Sequence, residues 1–544
     1  MTDANSQSAT GTLNITVTTT PQVGIGGGPS TLTIGTTAAY TATPPQNFTE
    51  PFQIVWSLDG APISQAQDLL TAQVTAETEG THVLSVTMTD ANSQSATGTL
   101  NITITLKLKI THDFNGDGIA DILVGAEDNG TAYIFYGSTS LSASIDASTA
   151  NVKFIGGSRF GASVSGAGDV NKDGIDDVIV GARTSDVDGG VYIFYGGTSL
   201  APSINASAAN VKLIGEVSGG SNQGQFGFSV SGAGDVNNDG FADVIVGDPY
   251  QSAGGDAAGT AYIFYGGISL APSINASAAN VKFIGPSSSA RLGFSVSGAG
   301  DVNKDGFADV IVGSEWGAYI FYGGTSLVSS NASAANVKLM GEVVTDSFGS
   351  PVSGAGDVNK DGFSDVIVGA AEAAYIFLGS TSLASSINAS AANVKLIGQG
   401  GRFGISVSGV GDVNKDGFAD VIVGANLDGT AGPSAGAAYI FYGATSLASL
   451  ANAKLIGQSA RDEFGTSVSG AGDVNNDGFA DVIVGAPLAD DARKGGAGGE
   501  AGAAYIFYGA ASQASSINAS SANVKFIGEN GLDALGASVS GGSH

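Results

Sequence analysis

Seven times between residues 113 and 481 the chain repeats one series of oxygen-bearing side chains, D-x-N-x-D-G-x-x-D, and follows it with an apolar run such as VIVG. The donors are Asp113, Asn115, Asp117 and Asp121 in the first copy and Asp169, Asn171, Asp173 and Asp177 in the second. Asp235, Asn237, Asp239 and Asp243 form the third, and Asp301, Asn303, Asp305 and Asp309 the fourth. Asp357, Asn359, Asp361 and Asp365 form the fifth, Asp412, Asn414, Asp416 and Asp420 the sixth, and Asp473, Asn475, Asp477 and Asp481 the seventh. A tight loop can aim positions 1, 3, 5 and 9 at one centre. The glycine at position 6, Gly240 in the third copy, permits the sharp turn. The backbone carbonyl of position 7 adds an oxygen; in order, that residue is Ile119, Ile175, Phe241, Phe307, Phe363, Phe418 and Phe479.

A flexible cage of carboxylate, amide and carbonyl oxygens suits Ca2+, which takes roughly 6–8 hard ligands, whereas Mg2+ demands a tighter octahedron and keeps more water. The spacing predicts about seven calcium sites. The loop opens like an EF-hand, but position 12 is apolar (Val246 in the third copy) where the EF-hand has a bidentate Glu, and the flanks are β. The ninth-position Asp is therefore expected to close the cage. One such loop could be a hydrated Asp–Asn–Gly turn; seven in register point to a metal.

The elements around the loops recur in fixed order. An [FL]G-x-[SP]-V-S-G segment begins at Phe160, Phe226, Leu292, Phe348, Phe403, Phe464 and Leu535, the metal loop and its apolar run follow, then a YIF segment, then AN-[VA]-K-[FL]-[IM]-G. Each repeat of 55–66 residues offers four short strands rich in Val, Ile, Phe and Tyr, the composition of a propeller blade. One blade cannot cover its own apolar faces, so neighbours must stack. The expected fold is all-β, a seven-bladed propeller of four-stranded blades over 108–544. The first loop lacks a preceding FG segment and the last, LGASVSG at 535–541, lacks a following loop. Circular closure by strand 535–541 accounts for both. In the alternative, Leu106–Thr111 give the first inner strand and the C-terminal piece is an incomplete eighth unit.

FG, a GAGD junction and D-x-N-x-D-G-x-x-D ahead of VGA resemble the FG-GAP repeat of the integrin α-subunit propeller and its bacterial relatives, over about 430 of the 544 residues. The resemblance implies a seven-bladed propeller with calcium loops between the first two strands of a blade, and extracellular or cell-surface adhesion and ligand binding. Integrin propellers carry the loop on only some blades, whereas all seven have it here, and nothing resembles an integrin leg or tail.

Residues 1–17 and 88–104 are the same segment at a period of 87, differing only at Val17 and Ile104. Residues 1–17 read as the tail strand of a preceding repeat module, so the chain is expected to be part of a longer multi-module protein. Residues 18–107 alternate apolar and polar at period two, as in an immunoglobulin-like or PKD-like β-sandwich with Trp56 in its core. The chain has no cysteine, which excludes disulfides and thiolate metal sites and points to a prokaryotic source. The first 20 residues lack the basic start and apolar stretch of a signal peptide, and no apolar run reaches the roughly 18 residues of a transmembrane helix.

The net charge is −29, which argues against nucleic acid as a partner. Three aspartates in each of seven loops account for 21 of the 49 acids. Seven divalent ions would bring −29 to about −15. Antiparallel strands put the metal loops and the uniform TSLAPSINASAAN-type loops on one face. The variable loops fall on the other, with Arg159, Arg183, Arg291, Arg402, Arg461, Arg493, Tyr250 and Trp316. Loops that vary on a fixed scaffold are where recognition usually sits. A protein or carbohydrate ligand is expected there, with Arg183, Trp316 and Arg493 as contacts; Arg159, Arg291 and Arg402 read better as ties between blades. His82, His112 and His544 lack nucleophile partners in the sequence, so no enzyme is expected. The Asn-Ala-Ser sites at Asn205, Asn275, Asn331, Asn388 and Asn518 read as products of repeat duplication. The leading expectation is a calcium-dependent extracellular adhesion or binding propeller; its rivals are a structural spacer in a large secreted repeat protein and, behind that, a carbohydrate-active propeller.

Overall fold

The apolar runs behind the seven loops become strands buried along their whole length, from Ile122–Ala126 and Asp177–Ala182 to Asp481–Ala486. β-Branched Val and Ile suit a strand covered on both faces. The computed structural model describes residues 9–12, 23–26, 31–33, 37–44, 53–63, 71–75, 80–89, 91–93, 95–105, 111–183, 190–216, 225–343, 346–490 and 500–542. They fall into two units, Met1–Lys109 and Ile110–His544.

The second unit is an all-β propeller of repeated four-strand units. In the third repeat, Ser229–Gly234, Asp243–Asp248, Thr260–Phe264 and Val281–Ile284 pair in order, all antiparallel, with Val246 opposite both Val230 and Tyr262. Seven sheets of this kind are present among the described residues. The metal loop joins the first two strands. A register shift between Gly232 and Gly234 ends the inner strand just before it.

Six of the seven sheets carry a fifth strand, absent from the sequence reading. A segment from the following repeat, Ser-Ile-Asn in four cases, Ser-Ile-Asp at Ser144–Asp146 and Ser-Asn at Ser330–Asn331, adds parallel to the outer edge: Ser203–Asn205 on Val152–Ile155, Ser273–Asn275 on Val211–Ile214. Where Asn275, Asn331 and Asn388 end this strand, each side-chain oxygen accepts the N–H two residues on and starts a short 3-10 turn. At these three sites the Asn of Asn-Ala-Ser has a local structural task, which Asn205 and Asn518 do not share. The sheet containing Val394–Leu396 lacks the addition.

Aromatic and glycine residues join one sheet to the next. Phe226 of the FG segment is fully buried, meets Tyr262 of its own repeat edge-on at 5.4 Å and shares a core with Val191 and Leu213 of the preceding sheet. The second-strand glycine presses against the following sheet: a Cβ on Gly247 would stand 2.0 Å from the Gly293 carbonyl oxygen, and one on Gly485 2.1 Å from that of Gly536. Only hydrogen fits there. Gly536 lies on Leu535–Ser540, which pairs antiparallel with Ile122–Ala126 of the first repeat. Between the apolar faces lie cores that mix residues of adjacent repeats; one joins Val124 and Phe135 to Ile506 and Phe526. Residues 106–110, which the eighth-unit alternative requires, lie outside the described residues.

The first unit contains two sheets. Gln53–Leu58, Gly80–Thr89 and Ser95–Thr105 lie side by side in one; Gly24–Gly26, Thr37–Thr43 and Thr71–Thr75 form the other. Trp56 is fully buried in a core drawn from both, with Tyr40, Ile25, Leu84 and Val86. Ala9–Thr12 runs parallel to Ala96–Thr99, so two copies of the 87-residue repeat pair in register. The rest of segment 1–17 lies outside the described residues.

Candidate metal centre

Each loop wraps its backbone amides around its own carboxylates. In the third copy, Asp235 Oδ1 accepts from the Asp239 amide at 3.0 Å and Oδ2 from the Gly240 amide at 2.7 Å. Asn237 Oδ1 accepts from the Asp239 amide, and its Nδ2 donates to Asp239 Oδ2. Asp239 Oδ1 accepts from the Phe241 amide. The pattern recurs in the other copies, as at Asp169, Asp301, Asp357, Asp412 and Asp473. Two positive-φ residues make the turn. Gly240 has φ +86°, and position 4 is also left-handed: Gly116, Lys172, Asn238, Lys304, Lys360, Lys415 and Asn476. Asn and Gly tolerate that conformation and Lys does so at a cost, so position 4 was not legible from residue type.

The ninth-position Asp stands apart from the rest. Asp243 is fully buried; its Oδ2 accepts from the Val236 amide at position 2 and its Oδ1 from the Gly266 amide at the end of the third strand, both at 2.9 Å. Asp121, Asp177, Asp309, Asp365, Asp420 and Asp481 do the same on their own repeats. This carboxylate ties loop to sheet, a role the spacing did not reveal. Burial pushes Asp121 and Asp481 up to about 8 and Asp177, Asp243, Asp309, Asp365 and Asp420 up to about 7. The two amide bonds oppose the rise, and the acids at positions 1 and 5 add to it.

Among the described residues no three Asp, Glu, His or Cys side chains converge as a metal cluster. The donor set nonetheless fits calcium. It consists of hard oxygens, and each side-chain oxygen of the third loop accepts a single N–H, which leaves a lone pair. The partners of the buried ninth carboxylate are two neutral amides, which leave its charge for a cation to balance.

The loops are linked around the ring. The position-8 amide donates to the position-1 carbonyl of the preceding loop: Ala242 to Asp169, Ala308 to Asp235, Ser364 to Asp301, Ala419 to Asp357 and Ala480 to Asp412, at 3.1–3.3 Å. Sequence spacing within one repeat carries no sign of these bonds.

Segments 226–264, 292–329, 403–441 and 464–507 match the FG-GAP repeat, and 113–180 the FG-GAP-like repeat. Five segments of the propeller thus carry repeats of the FG-GAP type. The propeller resembles integrin α. The integrin alpha pat-2 of Caenorhabditis elegans is 33% identical over 227 residues, 37% of this chain and 17% of that protein. The integrin alpha-5 of Xenopus laevis is 30% identical over 214 residues, 36% of this chain and 20% of that protein. The matches thus span a fifth or less of these relatives' length. A solved PKD domain of an M14-like peptidase from a Thermoplasmatales archaeon is 22% identical, covering 15% of this chain and 94% of that one at a TM-score of 0.13, too low to bear on the fold.

Three arginines of the variable loops, Arg159, Arg183 and Arg291, join neighbouring repeats. Arg183 Nη2 donates to Glu127 Oε2 at 3.1 Å, and its guanidinium lies 4.9 Å from the centre of the Phe228 ring. Arg159 faces the same Glu127 at 3.5 Å. Arg291 pairs with Glu315 at 3.2 Å and lies over Tyr250. Arg183 therefore does not stand ready as a ligand contact, since two neighbouring repeats already hold it. Trp316 is 38% exposed, and Arg493 lies outside the described residues. His82 is held by Asp59 at 2.6 Å, His112 Nε2 accepts from the Gly166 amide at 3.0 Å, and His544 lies outside the described residues. Among the described residues no helix is long and apolar enough to cross a membrane.

Proposed function

We propose that this chain is a non-catalytic, calcium-binding, seven-bladed adhesion or ligand-binding propeller that works outside the cell or on its surface. The observation that carries the reading is the sevenfold loop with its buried ninth carboxylate beside two further acids and a set of oxygen donors that suits a cation. Positions 1, 3, 5 and 9 and the position-7 carbonyl would hold the ion, from Asp113 through Asp481. Extracellular calcium is abundant enough to fill such sites, which supports the location. FG-GAP relatives among integrins support the adhesive role. The 18–107 segment fits a PKD-like or immunoglobulin-like spacer module.

Melting with and without chelator tests the calcium reading. Each site adds roughly 2.7 kcal/mol when calcium is at 100 times its Kd, so chelation should lower Tm by many degrees; an unchanged Tm refutes it. A second reading, a structural spacer stiffened by calcium, is favoured by the engagement of Arg159, Arg183 and Arg291 between repeats. Arrays of glycans and matrix proteins, probed with and without calcium, separate the two. Calcium-dependent binding supports adhesion, and silence on both arrays supports the spacer.

A further inference from the structure

Four of the seven loops have a lysine from the preceding loop laid against them. Lys172 Nζ lies 5.1 Å from the centre of the Phe241 ring, Lys304 5.3 Å from Phe363, Lys360 5.7 Å from Phe418 and Lys415 5.2 Å from Phe479. In every case the lysine is position 4 of one loop and the aromatic is position 7 of the next. The same ammonium abuts the next loop's position-6 glycine: a Cβ there would stand 2.4–2.6 Å from Nζ at Gly240, Gly362, Gly417 and Gly478. The lysines hold this aim from a left-handed backbone, φ +61° to +63°, which a side chain adopts at a cost. The remaining position-4 residues, Gly116, Asn238 and Asn476, bring no charge to the loops that follow them.

We propose that these lysines divide the ring into two calcium classes. The loops beginning at Asp235, Asp357, Asp412 and Asp473 face a neighbour's ammonium and bind calcium more weakly. Those beginning at Asp113, Asp169 and Asp301 face none and bind it more tightly. Before calcium arrives, the ammonium is a counter-charge for the next loop's acids; once the ion is in place, the two positive charges repel. The lysines are exposed, so water and salt screen the effect, and it amounts to about three- to tenfold in affinity. The bonds from position 8 to the preceding position 1 keep the lysine and the loop it faces in fixed relation. This inference rests on the calcium reading above.

Calcium titration of the full chain by calorimetry, at low ionic strength, tests it. The wild type should show three tight sites and four weaker ones. In the variant K172Q/K304Q/K360Q/K415Q the four weak sites should tighten about three- to tenfold and merge with the others. The corresponding Lys→Arg variant keeps the charge and should keep the split. Seven equivalent sites in the wild type, or a split that survives in the Gln variant, overturns the proposal. A melting curve in chelator accompanies each titration: a lower Tm in the Gln variant with the split intact makes the lysines latches between blades and also overturns it. Absence of calcium binding in the wild type is a separate failure, that of the calcium reading itself.

Discussion

Asp235 and Asp243 are both read as ligands of one ion, yet substitution should separate what they do. Asp243→Ala removes the acceptor of a buried amide, that of Val236, and of a half-buried one, that of Gly266. Each stranded buried donor costs about 1–3 kcal/mol and the half-buried one less, so the variant should lose about 2–4 kcal/mol in denaturant unfolding even with chelator present. Asp235→Ala frees the amides of Asp239 and Gly240 at the exposed tip of the loop, where water takes over, and should lose about 1 kcal/mol or less under the same conditions. Equal losses would show that the ninth carboxylate is not the tie its geometry describes. The recurring donors were legible because four oxygen-bearing positions at fixed spacing in a nine-residue series recur in seven copies. The burial of the ninth Asp was not, because residue type does not tell which carboxylate faces the sheet. Nor was the left-handed position 4, where four lysines occupy a conformation that Asn238, Asn476 and Gly116 adopt more easily.

At the scale of elements, the four strands of each repeat were legible because Val, Ile, Phe and Tyr cluster between turns. The fifth was not. Ser-Ile-Asn is three residues long, polar at both ends, and pairs with the repeat before its own, so nothing local marks it as a strand. Glycine carries the other part of the story. In the loops glycine permits a sharp turn, but at the end of VIVG it marks the place where one sheet touches the next. Gly485→Ala would drive a methyl group into the Gly536 carbonyl and should cost about 1–3 kcal/mol through overpacking. Gly197→Ala meets only ordinary contact with Leu200 at 3.7 Å and should stay within about 0.5 kcal/mol. Chemical denaturation of both variants checks the contrast; a silent Gly485→Ala would mean that this contact yields freely.

For the whole molecule, the −29 charge has a direct consequence for how stability depends on pH. Seven ninth-position carboxyls have folded-state values of about 7 to 8, against near 3.9 in an unfolded chain. Between those limits the folded protein holds protons that the unfolded chain has released. Each group therefore contributes stability that is complete below pH about 3.9 and is lost as pH rises through 7 to 8. Asp428, lowered by Thr430 and Lys454 against the burial that would raise it, and Asp59, lowered by the Val83 amide and His82, have the opposite sign, but they are two groups against seven. In chelator, Tm should fall from pH 5.5 to 8.5. Calcium competes with those protons for the same oxygens, so its affinity should rise over the same window. The gap in Tm between calcium and chelator should thus be small at pH 5.5 and widest at pH 8.5. Scanning calorimetry at both pH values, with and without chelator, measures all four corners. A chelated protein whose Tm stays level or rises with pH would mean that these carboxyls are ionised without a metal, and that the acids along the loops are balanced by something other than a bound cation.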